Sequence, residues 1–305
     1  MKQGVVIRDE GNVVLVDIPG EAELVPCSIR KTLRRKTGKR AKPVVVGDRV
    51  DVEFSEEGGA AVSAVQPRHS RLSRPDPMHR HREHIIVANI DAVLIVVSVR
   101  EPDLAPALID RFLIAVESRE LEAGIILNKV DLDPDRGFES VAQTYRDLGY
   151  PVFCVSAETG ESVTDVRDFL HDKTTTLLGH SGVGKSSLAN ALDPSLELRI
   201  GAVSEGTGRG QHTTTSVSLL PLPWGGYLVD TPGIREFGLW EMEERDIGHW
   251  FRDLEPLVHD CKFNDCLHEN EPQCAVKAAV ERGEVPRWRY DSYLRILESL
   301  RNPDA

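Results

Sequence analysis

No run of 18 apolar residues occurs in this 305-residue chain. The longest contender, Ile85 to Val99, is interrupted by Asn89 and Asp91, so nothing reads as a membrane span. The opening residues, Met1-Lys-Gln-Gly-Val-Val-Ile-Arg-Asp9, lack the long apolar region that directs export and meet acid at once, so the cytoplasm is the expected address. Internal repeats are missing too. Hydrophobic residues at 40% and charged residues at 28% exclude a collagen-like chain and argue against wholesale disorder. Cysteine is sparse, with five in the chain, and three of them crowd between residues 261 and 274. An odd-numbered cluster in a cytosolic chain argues against disulfides.

Basic residues number 37 against 49 acidic ones, a net charge of −12 that by itself speaks against a nucleic-acid partner. Their distribution speaks differently. Residues 30–42 carry eight Lys/Arg and no acid: Arg30, Lys31, Arg34, Arg35, Lys36, Lys39, Arg40 and Lys42. A second stretch, Arg68 to His84, holds five Arg and four His with two acids. Such runs are either solvated loops or local attractors for phosphates on an otherwise repelling surface, and charge alone leaves both open.

The length suits two or three domains. Residues 1–67 read as short β-branched runs, Val5–Ile7, Val13–Val16, Glu23–Val25 and Val44–Phe54, separated by Gly, Pro and charged turns. This pattern predicts a small OB-like β-barrel with the basic run between two of its strands. After a linker at 68–82 the text alternates strand and helix. Strands are expected at 91–98, 123–127, 152–155, 174–178 and 227–230, with helices at 105–117, 139–148, 163–171 and 186–192. Continuous apolar strands between helices mean a parallel α/β sheet covered on both faces, here over 83–237. From 238 to 305 the strand signal stops, leaving a helical domain with the Cys/His cluster and an amphipathic helix at 288–300.

Gly179-His180-Ser181-Gly182-Val183-Gly184-Lys185-Ser186 fits G-x-x-x-x-G-K-[ST] in full, after a strand and opening a helix. Glycines let the backbone wrap around phosphates at a helix N-terminus, Lys185 reaches the β- and γ-phosphates, and Ser186 ligates Mg²⁺. Ser187 completes the run. Asn128-Lys129-Val130-Asp131 follows the strand at 123–127, and Ser156-Ala157 follows the one at 152–155. Asp131 would accept hydrogen bonds from guanine N1 and N2, which adenine cannot match. Ala157 would offer its N–H to guanine O6, and Lys129 would cover the base. GTP is therefore preferred over ATP, and the pairing opposes the alternative of a metabolic P-loop kinase.

Asp230-Thr-Pro-Gly233 ends the last strand. Asp230 would hold Mg²⁺ and the Gly233 N–H would meet the γ-phosphate. Between the phosphate motifs, Gly206 to Thr215 suits a switch whose Thr214 and Thr215 close on Mg²⁺ and the γ-phosphate; an ordinary loop would look similar. Ile234 stands where many GTPases have a Gln that orients water. His212 is the foremost candidate for that work, with His180 behind it. Slow hydrolysis leaves room for a second reading, a GTP-dependent checkpoint in which occupancy alone matters. The base-reading motifs precede the phosphate loop, the reverse of the usual order, so the G domain is circularly permuted. Cys261, Cys266, His268 and Cys274 offer three thiolates and an imidazole, a closed tetrahedral set for one structural Zn²⁺.

Taken together, the barrel, the permuted order, Gly179–Ser187, Gly210-Gln-His-Thr-Thr-Thr215, Asp230-Thr-Pro-Gly-Ile-Arg-Glu-Phe237 and the Cys-Cys-His-Cys cluster resemble the RsgA (YjeQ) family over essentially the whole chain. The resemblance implies a GTPase stimulated by the small ribosomal subunit, acting in its late maturation and released after hydrolysis. It makes Ile234 expected rather than damaged. It also gives Arg30, Lys31, Arg34, Arg35, Lys36, Lys39 and Arg40 an object in ribosomal RNA. A monomer is expected, with no membrane partner.

Overall fold

The structure, a computed structural model, describes residues 1–36, 42–55, 58–76, 79–198, 217–230 and 242–302. The chain divides into two compact units: Met1–Ala92, Arg167–Leu177 and Ala202–Glu236 form one, and Val93–Val166, Leu178–Gly201 and Phe237–Ala305 form the other.

The first unit begins with β1 (Lys2–Asp9), β2 (Val13–Asp17), β3 (Val25–Ile29), β4 (Arg49–Phe54) and β5 (Ala60–Val65). Their order is β1-β2-β3-β5-β4, and β4 pairs back onto β1 through Lys2↔Val52 to Val5↔Arg49. This is a closed five-stranded barrel, so its strands leave no unpaired edge. Alternate residues point inward, and Val6, Val14, Val16, Cys27, Val50, Val52 and Val62 fill the interior at 0% exposure. The small side chains suit a barrel this narrow. Burial pushes the Cys27 thiol up to about 11, so it serves as a small hydrophobe. Between β3 and β4 the basic run starts as a short helix, α1 (Lys31–Lys36). Val44 and Val45, expected as strand, are instead buried and irregular, with Asp48 accepting from the Val45 N–H at 2.8 Å, and Val46 keeps only an isolated bridge to Val87.

Residues 68–82, expected as a linker, hold most of a β-hairpin, β6 (Arg71–Asp76) and β7 (His79–Ala88). Arg68 anchors its start to the barrel by donating from Nε and Nη2 to fully buried Asp48, at 2.6 and 2.9 Å. The same unit contains β11 (Thr174–Leu178), β12 (Ser218–Pro221) and β13 (Tyr227–Asp230). Strands β11 and β13 run parallel, and β12 turns back antiparallel on β13. Strand β12 also pairs with barrel strand β1 at Arg8↔Ser218, and the Tyr227 hydroxyl donates to Asp17 at 2.7 Å.

The second unit is built on β8 (Ala92–Ser98), β9 (Glu122–Asn128) and β10 (Val152–Val155), with β9 and β10 parallel. Every residue of β8 is buried, as a strand covered on both faces requires. Helices α2 (Pro106–Glu117), α3 (Glu139–Asp147), α4 (Val163–Leu170) and α5 (Lys185–Leu192) follow in sequence, α4 ending within the first unit's residues. Proline opens α2, where its missing N–H costs nothing. The C-terminal part adds α6 (Glu255–Val258), α7 (Ala275–Glu281) and α8 (Arg287–Arg301). Helix α8 packs on α2 through a buried ion-pair cluster. Arg289, with 2% of its side chain exposed, donates to Asp110 and to Asp253, the latter from Nη2 at 2.6 Å. Tyr145 donates its hydroxyl to the same Asp110 at 2.5 Å. No helix among the described residues is long and apolar enough to cross a membrane.

Candidate functional site

The phosphate loop is where chain geometry is tightest. A Cβ on Gly179 would stand 2.1 Å from the Val96 carbonyl oxygen, so only glycine lets the loop leave β11 there. Gly184 has φ +91°, and a Cβ on it would meet Asn128 Nδ2 at 2.4 Å. Lys185 opens α5 and folds back, donating Nζ to the carbonyls of Gly179 at 2.8 Å and His180 at 2.7 Å. The ammonium thus sits inside the loop, at the concave place where phosphate oxygens would replace those carbonyls. Ser181 and Gly182 are exposed, Val183 is buried as an anchor, and Ser186 and Ser187 lie half-buried on the first turn of α5. The His180 ring faces Phe112 of α2, with centroids 6.1 Å apart.

The base-reading turns converge on the same loop. Asn128, 1% exposed, donates Nδ2 to the Val183 carbonyl at 2.9 Å and accepts the Ala157 N–H on Oδ1 at 3.2 Å. One buried amide therefore joins all three motifs. Sequence reasoning placed Asn128 in the site but missed this cross-bracing, whose only signal is an amide at a strand end. It also assigned the Ala157 N–H to guanine O6, whereas here that N–H goes to Asn128 and would have to be shared. Fully buried Ser156 accepts the Thr159 N–H on Oγ at 3.1 Å, closing its own turn. Lys129 takes a left-handed backbone, φ 63°, and donates Nζ to the Glu101 carbonyl. Asp131 projects, exposed, from the 3-10 turn Val130–Leu132.

Asp230 ends β13 in the other unit, half-buried, and burial raises its carboxyl above the usual range. Ser186, on the first turn of α5, would offer its hydroxyl to Mg²⁺, which supplies charge neutralisation at the phosphates when bound. His212, Thr214, Thr215 and Gly233 lie outside the described residues, as do Ile234, Lys39 and Arg40 and the side chains of Arg34, Arg35 and Lys36. Lys31 is exposed, while Arg30 is drawn to Glu53 and Lys42 to Asp9, so the barrel's own acids neutralise part of the basic run.

In the C-terminal part, Cys261, Cys266, His268 and Cys274 bring their ligand atoms within 4.8 Å of one another. Two Zn–S bonds of about 2.3 Å at a tetrahedral angle put the sulfurs about 3.8 Å apart, and sulfur and nitrogen about 3.5 Å apart. Cys261 and Cys274 Sγ are 3.9 Å apart, and each lies 3.4 Å from His268 Nδ1. The donor set fits zinc. Supporting contacts fit as well: the Ala275 and Lys277 N–H groups donate to the sulfurs of Cys261 and Cys274, at 3.4 and 3.5 Å. Tyr290 and Tyr293 donate hydroxyls to the carbonyls of His268 and Leu267, at 2.6 and 2.8 Å. Burial alone would raise the Glu271 carboxyl, yet the N–H groups of Leu267, Glu269 and Asn270 converge on it and hold it below its ordinary value. None of these five supports was visible in the sequence.

A phosphate loop cross-braced to guanine-type turns that come earlier in the chain defines a P-loop GTPase of circularly permuted order. The family model described as RsgA GTPase matches residues 65–240. The chain belongs to the RsgA GTPase family, and it is a GTP-hydrolysing enzyme. It is 40% identical over 299 residues to the small ribosomal subunit biogenesis GTPase RsgA of Bacteroides fragilis, covering 97% of this chain and 96% of that one. With the RsgA of Shewanella oneidensis it shares 43% identity over 289 residues, 92% of this chain and 78% of the other. Its fold is similar to that of YjeQ from Thermotoga maritima, with a TM-score of 0.81 and 35% identity over 99% of both chains. YloQ, described as a circularly permuted GTPase, superposes with a TM-score of 0.77 and 30% identity, over 100% of this chain and 96% of that one.

Proposed function

We propose that this GTPase acts in the cytoplasm as a monomer in late maturation of the small ribosomal subunit, that the particle stimulates hydrolysis, and that hydrolysis releases the enzyme. The single observation that carries the reading is the cross-bracing of the three nucleotide motifs through Asn128, in a chain related along nearly its whole length to small-subunit biogenesis GTPases. In this reading Asp131 selects guanine and Lys129 covers the base. Lys185 leaves the loop carbonyls for the β- and γ-phosphates, while the N–H groups from Gly182 to Ser187 cradle them. Ser186, Thr215 and Asp230 hold Mg²⁺. Ile234 cannot orient water, and His212 takes that role.

The parts divide the labour: the barrel of 1–67 and the helical part of 238–305 grip the particle, and the domain of 83–237 times release. Lys31 and its neighbours in the basic run meet ribosomal RNA, and Cys261, Cys266, His268 and Cys274 hold one structural Zn²⁺. The test is GTP turnover with and without purified small subunits, using large subunits as control. Selective stimulation supports the proposal. Binding without stimulation would favour an occupancy checkpoint on the particle, and no binding would remove the ribosome from the reading.

A further inference from the structure

The turn that carries Asp131 is poorly self-supporting. It is one 3-10 turn, held internally by Leu132 N–H to the Lys129 carbonyl at 3.0 Å and Asp133 N–H to the Val130 carbonyl at 3.1 Å. It is entered through Lys129 in the left-handed region, which disfavours residues with a Cβ. Specificity needs a carboxylate held firmly against two guanine donors, and this turn alone does not supply that firmness.

The segment following β8 does. Val99 donates its N–H to the Asn128 carbonyl at 2.9 Å, Glu101 receives Lys129 Nζ on its carbonyl, and Arg100 donates Nη2 to Asp133 Oδ1 at 3.1 Å. Three consecutive residues thus hold positions 128, 129 and 133, on both sides of Asp131. The segment is itself closed, because Ser98 Oγ donates to the Pro102 carbonyl at 2.7 Å. Arg100 is the side chain in this brace. Asp133, with 9% of its side chain exposed, has little water to replace the guanidinium, whereas Arg100 is half-exposed and its pairing is partly screened.

We infer that Arg100 is a positioning residue for guanine selection: through Asp133 it fixes the turn from which Asp131 reads the base. Arg100 touches neither the base nor the phosphates in this role. The inference rests on the guanine reading of Asp131 and adds to it a residue that no nucleotide motif includes.

The full-length protein carrying Arg100→Gln should show KM for GTP raised about fivefold with kcat unchanged. Its preference for GTP over ITP, which lacks the 2-amino group, should narrow. Arg100→Lys, which can still donate to Asp133, should recover part of both. Asp133→Ala, removing the acceptor, should reproduce the Arg100→Gln effect and guards against a folding defect peculiar to one variant. Unchanged KM and an unchanged GTP-to-ITP ratio in both variants would overturn the inference, as would a loss confined to kcat. Asp131→Asn, assayed with XTP alongside, separates the two layers. If it gains XTP use while Arg100→Gln does nothing, only Arg100 loses its role; if it gains none, the guanine reading falls and takes this inference with it.

Discussion

Asn128 donates its side-chain amide to the Val183 carbonyl at 2.9 Å, so the end of strand β9 and the phosphate loop are one hydrogen-bonded piece. Asn128→Asp keeps the size of the side chain but removes the donor and sets a buried carboxylate against a carbonyl oxygen. Leaving such groups unsatisfied costs about 1–3 kcal/mol each. We expect GTP affinity to fall at least about tenfold, with a destabilisation of about 2 kcal/mol, read by nucleotide titration and urea unfolding. Wild-type affinity in a folded Asn128→Asp protein would contradict the bracing role.

The Cys261, Cys266, His268 and Cys274 cluster gives a second prediction. Cys266→Ser should abolish retention of one zinc per chain and lower the unfolding midpoint of the C-terminal part, as measured by elemental analysis and thermal melting. Glu271→Ala leaves all four ligands in place but frees the N–H groups of Leu267, Glu269 and Asn270. Loss of such outer support typically weakens metal binding by about 10–100-fold. Competition with a chelator should show that loss, and equal retention would make Glu271 incidental.

Arg289 offers a stability test. Arg289→Met leaves Asp110 buried at 1% exposure without its cation, and removal of one partner of such a pair costs about 3–5 kcal/mol. Asp110→Asn added to it should recover much of that loss, because the stranded charge is gone. Denaturant unfolding of the single and double variants measures both, and additive losses would mean the pair is not coupled.

Charge reversal at Lys31, Arg34 and Arg35 should weaken binding to small ribosomal subunits while leaving turnover on free GTP intact. Reversal should also flatten the salt dependence of binding, because fewer phosphates are neutralised. Sedimentation with the particle at two salt concentrations is the measurement. No change would return the run to a solvated surface.

The elements that sequence alone made legible share strong local signals. Strand β8 is seven buried residues in a row, and the phosphate loop announces itself between β11 and α5. The elements it missed lack such signals. Hairpin β6–β7 is written as Arg-Leu-Ser-Arg-Pro-Asp and His-Arg-His-Arg-Glu-His, with no apolar alternation until its last residues. Strand β5, Ala-Ala-Val-Ser-Ala-Val, holds little β-branched text, and β12 is four residues ending in Pro221. At the candidate site, residues within a motif were found and their supports were not. Arg100 and Asp133 each look like a surface charge, and 33 residues separate them. Arg289 and Asp110 lie 179 residues apart, a distance across which one sequence carries no pairing information.

Because Asp110 sits on the helix that follows β8, while its cation comes from near the C-terminus, the nucleotide-binding part cannot be cut free by ending the chain before α8. A fragment stopping at residue 237 would retain a buried carboxylate with no counter-charge and an uncovered face on α2. Isolated G-domain fragments of this protein should therefore aggregate or unfold, and the tail that carries the Cys/His cluster counts as part of the enzyme's folding unit as well as a candidate gripping surface.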